Sequence, residues 1–189
     1  MIEHDFDSIN EFLSENRTLK PTMTLTIKEY REARTKKLKI KDIHTKTDNV
    51  AVLLLKNKFR LNCNEVKSMI EDSNRVKAVT NVIGHILEYY LSVRLSQYGS
   101  IWCAGKIVKS TDFIKKNNDG TWRMLQVKNR ENTENSSSSK VREGTLIEKW
   151  YRFNSKTGKT MWDKFPDDAA KNILSENDFE KFVHSYFLK

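Results

Sequence analysis

The stretch Thr111-Asp-Phe-Ile-Lys-Lys-Asn-Asn-Asp-Gly-Thr-Trp-Arg-Met-Leu-Gln-Val-Lys128 decides the fold class. Thr111–Ile114 and Thr121–Lys128 read as strands, and Asn117-Asn-Asp-Gly120 between them is a turn of the kind that joins antiparallel strands. A hairpin turning at Asn118–Gly120 sets Asp112 beside the later part of the second strand. The side chains at 126 and 128 share a face because strand residues alternate. Upstream, Ile101–Val108 reads as a further strand. Before it, Val76, Val79, Ile83, Ile86, Tyr90 and Val93 recur at helical steps, widened by Leu87 and Leu91, and the helix ends near Tyr98-Gly99. A helix followed by a hairpin predicts a mixed α/β (α+β) domain with a small central sheet.

Working outward, Asp7–Asn16 is an amphipathic helix carrying Ile9, Phe12 and Leu13, and a second helix after Pro21 runs through Leu25, Tyr30 and Ala33. Lys36–Asn49 is polar and basic and reads as a loop. Val50–Leu61 is ambiguous between a strand and a buried helix, because a short apolar run carries no period. A separate helix begins at Asn64, with Val66, Met69 and Ile70 on its apolar side. Asn129–Gly144 is polar, and two helices, near Asp167–Leu174 and at Glu176–Phe187, close the sequence.

At 189 residues the chain has the length of one domain. Its longest wholly apolar run, Val50–Leu55, is about a third of what a membrane span needs. The opening MIEHDFDSINEF has no signal-peptide pattern, so no membrane segment and a cytoplasmic location are expected. Cys63 and Cys103 have no Cys-x-x-Cys or histidine partner spacing and are expected to be reduced thiols. The net charge is +9, and residues 105–160 hold most of the excess, with 13 Lys and Arg against 6 Asp and Glu. Such a block is either a solvated surface or a polyanion-binding face, with nucleic acid as the natural partner.

Four residues carry the candidate chemistry: Glu88 on the long helix, Asp112 on the first hairpin strand, and Gln126 and Lys128 on the second. Phosphodiester hydrolysis needs a divalent cation to neutralise the scissile phosphate and acidify a water. Mg²⁺ takes oxygen donors and keeps several of its own waters, so one firm carboxylate with weaker oxygen donors suffices. Asp112 offers the first, and the Gln126 amide oxygen or Glu88 the second. A lysine two residues on can orient the water and stabilise developing negative charge.

The order Asp112, 13 intervening residues, then Gln126-Val-Lys128, with a glutamate on a preceding helix, resembles the PD-(D/E)xK nuclease superfamily. More narrowly, LQVKNRENTENSSSSKVREGT (Leu125–Thr145), with EKWYRFNS downstream, is similar to the SinI-like type II restriction endonucleases. The resemblance implies a restriction-endonuclease-like mixed sheet flanked by helices and Mg²⁺-dependent cleavage of double-stranded DNA. It also implies a short, nearly palindromic site of the GGWCC kind, a homodimer, and a companion DNA methyltransferase. It places a nuclease core at 63–189, with a recognition segment near 129–162, and leaves 1–62 as a helical accessory part of one overall domain. The sequence departs from the superfamily pattern at Gln126, where Asp or Glu is usual, and at Thr111, where proline is usual. An amide holds Mg²⁺ less firmly than a carboxylate. Either Glu88 compensates, or weak metal affinity is tolerated, or activity is lost.

The basic and amide side chains after the hairpin are candidate DNA contacts: Asn129, Arg130, Asn132, Asn135, Lys140 and Arg142, with the hydroxyls of Ser136, Ser137, Ser138 and Ser139 suited to phosphates. Arg152, Lys156 and Lys159 are candidate backbone contacts, while Trp150 and Phe153 read as core. Two other readings stay open from these residues: a structure-specific repair or resolvase nuclease on the same fold, and a noncatalytic nucleic-acid-binding protein.

Overall fold

Four strands form one mixed sheet in the order β1-β2-β3-β4: β1 (Ser100–Trp102), β2 (Phe113–Lys116), β3 (Trp122–Arg130) and β4 (Ile147–Phe153). The first three pair antiparallel, whereas β4 runs parallel to β3 with Val127 opposite Trp150 and Lys128 opposite Tyr151. The helices are α1 (Ile2–Glu15), α2 (Ile27–Thr35), α3 (Asn49–Phe59), α4 (Cys63–Leu95), α5 (Asp168–Lys171) and α6 (Glu176–Phe187). This computed structural model describes residues 1–21, 25–41, 43, 46–131 and 146–187. The chain divides into two compact units, Met1–Lys37 with Ile86–Lys189, and Leu38–His85.

The larger unit holds the sheet. On one side α1 buries Ile9, Phe12 and Leu13, and the Phe12 ring meets Trp122 of β3 edge-on at 5.4 Å. The Trp122 indole N–H donates to Glu15 at 2.9 Å, closing the rim of that contact. A capping box between Thr26 and Glu29 starts α2. Its Tyr30 is fully buried, and the hydroxyl donates to the Trp102 carbonyl at 2.7 Å. Elsewhere an aromatic cluster forms the core: Tyr90 meets Trp162 and Phe179, and Trp162 meets Trp150 of β4 at 5.1 Å. Such rings contribute large apolar area plus about 0.5–1.5 kcal/mol per well-set pair.

The smaller unit contains α3 and the first part of α4. Asp48 caps α3, and Asn62 with Glu65 forms a reciprocal cap at the start of α4: Asn62 Oδ1 accepts from the Glu65 N–H and Glu65 Oε2 from the Asn62 N–H. These caps resolve the ambiguous run at 50–61 as helix. Its apolar residues, Val50 to Leu55, are consecutive and so carry no helical period, while Lys56, Asn57 and Lys58 follow them. Val50, Leu53 and Leu54 are more than half exposed on one side of α3, and Met69, Val76 and Val79 are exposed on α4.

The remaining differences from the sequence reading have simple causes. The two expected helices at 64 and 76 are one, since the polar Asp72–Arg75 stretch is compatible with a continuing helix. The buried residues of α4 are Val66, Ala78, Val82, Ile86, Leu87, Tyr90, Leu91, Ser92 and Leu95, whereas Val76, Val79 and Val93 of the expected stripe are exposed. Strand β1 stops at Trp102 instead of running to Val108. Ala104–Lys106 is a short 3-10 turn, and Ile107 and Val108 are both buried, so strict alternation fails there. Strand β4 was hidden because it pairs parallel and is covered unevenly.

Candidate active site

Strand β2 begins one residue after the point where its register with β3 would pair Asp112 with Gln126, and Asp112 closes that end in two ways. Its backbone N–H donates to the Leu125 carbonyl at 2.9 Å, and its carboxylate Oδ2 accepts the Val127 N–H at 2.7 Å. The carboxylate is therefore stapled to the strand between Gln126 and Lys128. Paired residues of antiparallel strands project to the same face, so Asp112, Gln126 and Lys128 share one side of the sheet. Gln126 is buried and Lys128 exposed.

Helix α4 supplies Glu88, half-buried, whose Oε2 accepts the Trp102 indole N–H at 3.3 Å. Burial raises the Glu88 carboxyl to about 7, the neighbouring Asp112 carboxylate adds to the rise, and the Trp102 N–H with the charges of Lys128 and Lys106 opposes it. Burial likewise pushes Asp112 above the ordinary aspartate range, against the Val127 N–H and Lys128. The four residues singled out by sequence thus come together, and the fold adds Trp102 and Lys106. No local motif announces these two, because each reaches Glu88 only through the fold.

Among the described residues no three His, Cys, Asp or Glu side chains converge as a metal cluster. What the site offers is a pair of carboxylates, each with one oxygen hydrogen-bonded by the protein, beside an amide. Among the described residues neither second oxygen accepts a hydrogen bond. This all-oxygen donor set suits a hard divalent cation that retains its waters.

A pH prediction follows for the metal-free protein. A carboxyl whose folded pKa exceeds its unfolded value stabilises the fold in its protonated form. The Glu88 contribution is complete below the ordinary glutamate value of 4.5 and is lost as pH rises through about 7. Urea midpoints in chelator should therefore fall between pH 5.5 and 8, and Glu88→Gln should flatten that fall. An equal slope in both proteins contradicts the assignment.

The model of the SinI restriction endonuclease family matches residues 13–189. The chain belongs to the SinI restriction endonuclease family. It is 43% identical over 148 residues to the type II restriction enzyme Eco47I of Escherichia coli, covering 77% of this chain and 64% of that enzyme. It is 43% identical over 143 residues to the type II restriction enzyme SinI of Salmonella infantis, covering 75% of this chain and 62% of that enzyme. The chain thus spans under two thirds of the length of these relatives.

In this SinI-family chain the candidate DNA contacts fall into three groups. Asn132, Asn135, Ser136–Ser139, Lys140 and Arg142 lie outside the described residues. Arg130, Lys156 and Lys159 are exposed. Lys156 and Lys159 sit on a turn where Asn154 Oδ1 accepts from the N–H groups of Lys156 and Thr157 at 3.0 Å each, so both lysines are presented by a defined backbone. Arg152 is committed inward: it pairs with Glu176, its Nε donates to Asn129 Oδ1 at 3.0 Å, and its guanidinium lies over the Phe179 ring. Arg152 thus directs two of its guanidinium nitrogens, and Asn129 its side-chain oxygen, to the protein itself. Thr111, in the position where the superfamily pattern has proline, is buried, and among the described residues its hydroxyl has no hydrogen-bond partner.

Proposed function

We propose that this protein is a type II restriction endonuclease that makes Mg²⁺-dependent double-strand cuts at a short, near-palindromic DNA site, GGWCC-like by the family resemblance. The observation that carries this reading is the Asp112 carboxylate held on the Val127 N–H, between Gln126 and Lys128, facing a Glu88 carboxyl that burial and then the Asp112 charge both raise. Family membership supports it, and the excess of basic side chains over 105–160 suits a polyanionic substrate.

Asp112 and Glu88, with the Gln126 amide, would hold Mg²⁺. When bound, the ion neutralises the scissile phosphate and lowers the pKa of an attacking water. The residues themselves supply orientation and charge. The Val127 N–H fixes the direction of the Asp112 carboxylate, and the Trp102 indole fixes that of Glu88. Lys128, exposed on the same face, positions the nucleophile and stabilises the negative charge that builds on the phosphate. Arg130, Lys156 and Lys159 meet the DNA backbone, and the segment around Asn132–Arg142 reads the bases. Arg152 and Asn129, candidate contacts by sequence, hold the recognition end of β3 and β4 in place.

Two-fold cutting of a near-palindrome calls for a homodimer, because protein symmetry then matches DNA symmetry. The exposed apolar side chains Val50, Leu53 and Leu54 of α3 and Met69, Val76 and Val79 of α4 are available for self-association. A site-specific nuclease in the cytoplasm also requires a companion methyltransferase protecting the host sites. Among the described residues no helix is long and apolar enough to cross a membrane.

Digestion of unmethylated phage DNA with and without Mg²⁺ tests the reading. Discrete fragments that appear only with the ion are expected. A smear would favour a nonspecific or repair nuclease, and a metal-independent gel shift with no product would favour a binding protein.

A further inference from the structure

Beyond the motif, the connection from β1 to β2 presents a second lysine to the site. Cys103 hydrogen-bonds to the Asp112 carbonyl at 2.8 Å, and the preceding carbonyl, of Trp102, is held by Tyr30. Gly105 is left-handed, with φ +77°, and a Cβ placed there would lie 2.9 Å from the Ala33 Cβ of α2, so the chain passes tight against that helix. Behind it, Ile107 and Val108 are buried, and the Lys109 N–H donates to the Leu19 carbonyl at 2.9 Å. Between these anchors stands Lys106, exposed and itself left-handed at φ 62°.

A left-handed backbone is unfavourable for a residue with a Cβ, and lysine has no short side-chain acceptor to relieve it. The fold nevertheless imposes it on Lys106. Strain of this kind gathers where function fixes a side chain. Among the described residues Lys106 makes no hydrogen bond or ion pair. Its charge reaches the Glu88 carboxyl and favours the ionised form. It is an exposed cation near the Glu88 carboxylate and, among the described residues, without an ion-pair partner.

We infer that Lys106 is a phosphate-contacting residue of the active site, gripping the DNA backbone on the Glu88 side while Lys128 serves the Gln126 side. This rests on the nuclease reading above. The contact is electrostatic and present before chemistry, so its loss weakens substrate binding more than turnover. The strained backbone has the opposite effect on stability, where relief is a gain.

The test compares wild type with Lys106→Ala, Lys106→Arg and Lys106→Gly, measuring cleavage kinetics with Mg²⁺, DNA affinity against salt in Ca²⁺, and thermal midpoint. Lys106→Ala should raise KM about tenfold with kcat within a factor of about three, and reduce the slope of log affinity against log salt by about 0.9. Lys106→Arg should restore both. Lys106→Gly should bind as poorly as the alanine variant while melting about 2 °C higher than it, through release of the left-handed strain. An unchanged salt slope and KM in Lys106→Ala would overturn the assignment. So would a kcat collapse at unchanged KM. Absence of metal-dependent cleavage in wild type would instead defeat the nuclease reading, while the salt slope would still report whether Lys106 touches DNA.

Discussion

Lys128→Ala is expected to cut DNA roughly 10²–10³ times more slowly than wild type, the size of effect seen when one preorganised charge-stabilising group is removed from a transition state. The side chain is exposed and its loss leaves no cavity; it removes a charge that favours ionised Asp112 and Glu88, both of which can protonate instead. Folding and thermal midpoint should therefore hold, and binding measured without cleavage should weaken only by the loss of a single charge. Asp112→Asn completes the comparison. The amide oxygen of asparagine can still accept the Val127 N–H, so the staple at the end of β2 survives while the charge is lost. Cleavage should fall at least as far as in Lys128→Ala, and the variant should remain folded, because the ionised carboxylate it replaces is disfavoured by burial. The readout is single-turnover cleavage of a labelled duplex beside a melting curve. Wild-type cleavage rates in either variant would dissolve the site.

Arg152→Ala should instead cost stability, about 3 kcal/mol, the lower end for breaking a buried pair, because the Glu176 side chain keeps 30% of its exposure. The guanidinium, at 12% exposure, pairs with Glu176, whose Oε2 also takes the Trp162 indole N–H at 2.7 Å. Removing the arginine leaves that carboxylate half-buried without its cation, and leaves Asn129 Oδ1 without its donor. Packing against Phe153 and Phe179 is lost as well. At about 2–4 °C per kcal/mol for a chain of this length, the midpoint should drop by roughly 10 °C. Lys156→Ala and Lys159→Ala, on an exposed turn, should leave the midpoint alone and each lower the salt slope of DNA binding by about 0.9. An Arg152→Ala protein as stable as wild type but weaker on DNA would return Arg152 to the backbone contacts.

The contrast between these arginine and lysine residues marks the limit of what the sequence showed. Arg152, Lys156 and Lys159 look alike as letters in a basic, aromatic stretch. Nothing local says that α6 brings Glu176 against the first and leaves the other two in water. The same holds for α4. Its period identified a helix and included Ile86 and Tyr90 in the buried face, but Val76, Val79 and Val93 proved exposed, because which apolar residues are covered depends on what packs there. Strand β4 pairs parallel to β3 across residues far apart in sequence, and its alternation was masked by uneven cover.

The residues alone determined the hairpin, its turn and the juxtaposition of Asp112 with Gln126 and Lys128, since strand alternation and a short turn leave one register. They also carried the resemblance to the SinI family, chiefly through the run Leu125–Thr145, and the family model's match over residues 13–189 agrees with it. Only the tertiary structure decided that Glu88 lies beside Asp112, that Trp102 orients it, and that Lys106, left-handed, brings its charge near Glu88. These depend on contacts between α4, α2 and the β1–β2 connection. Such contacts are set by packing and charge across the whole unit, and no window of sequence contains them.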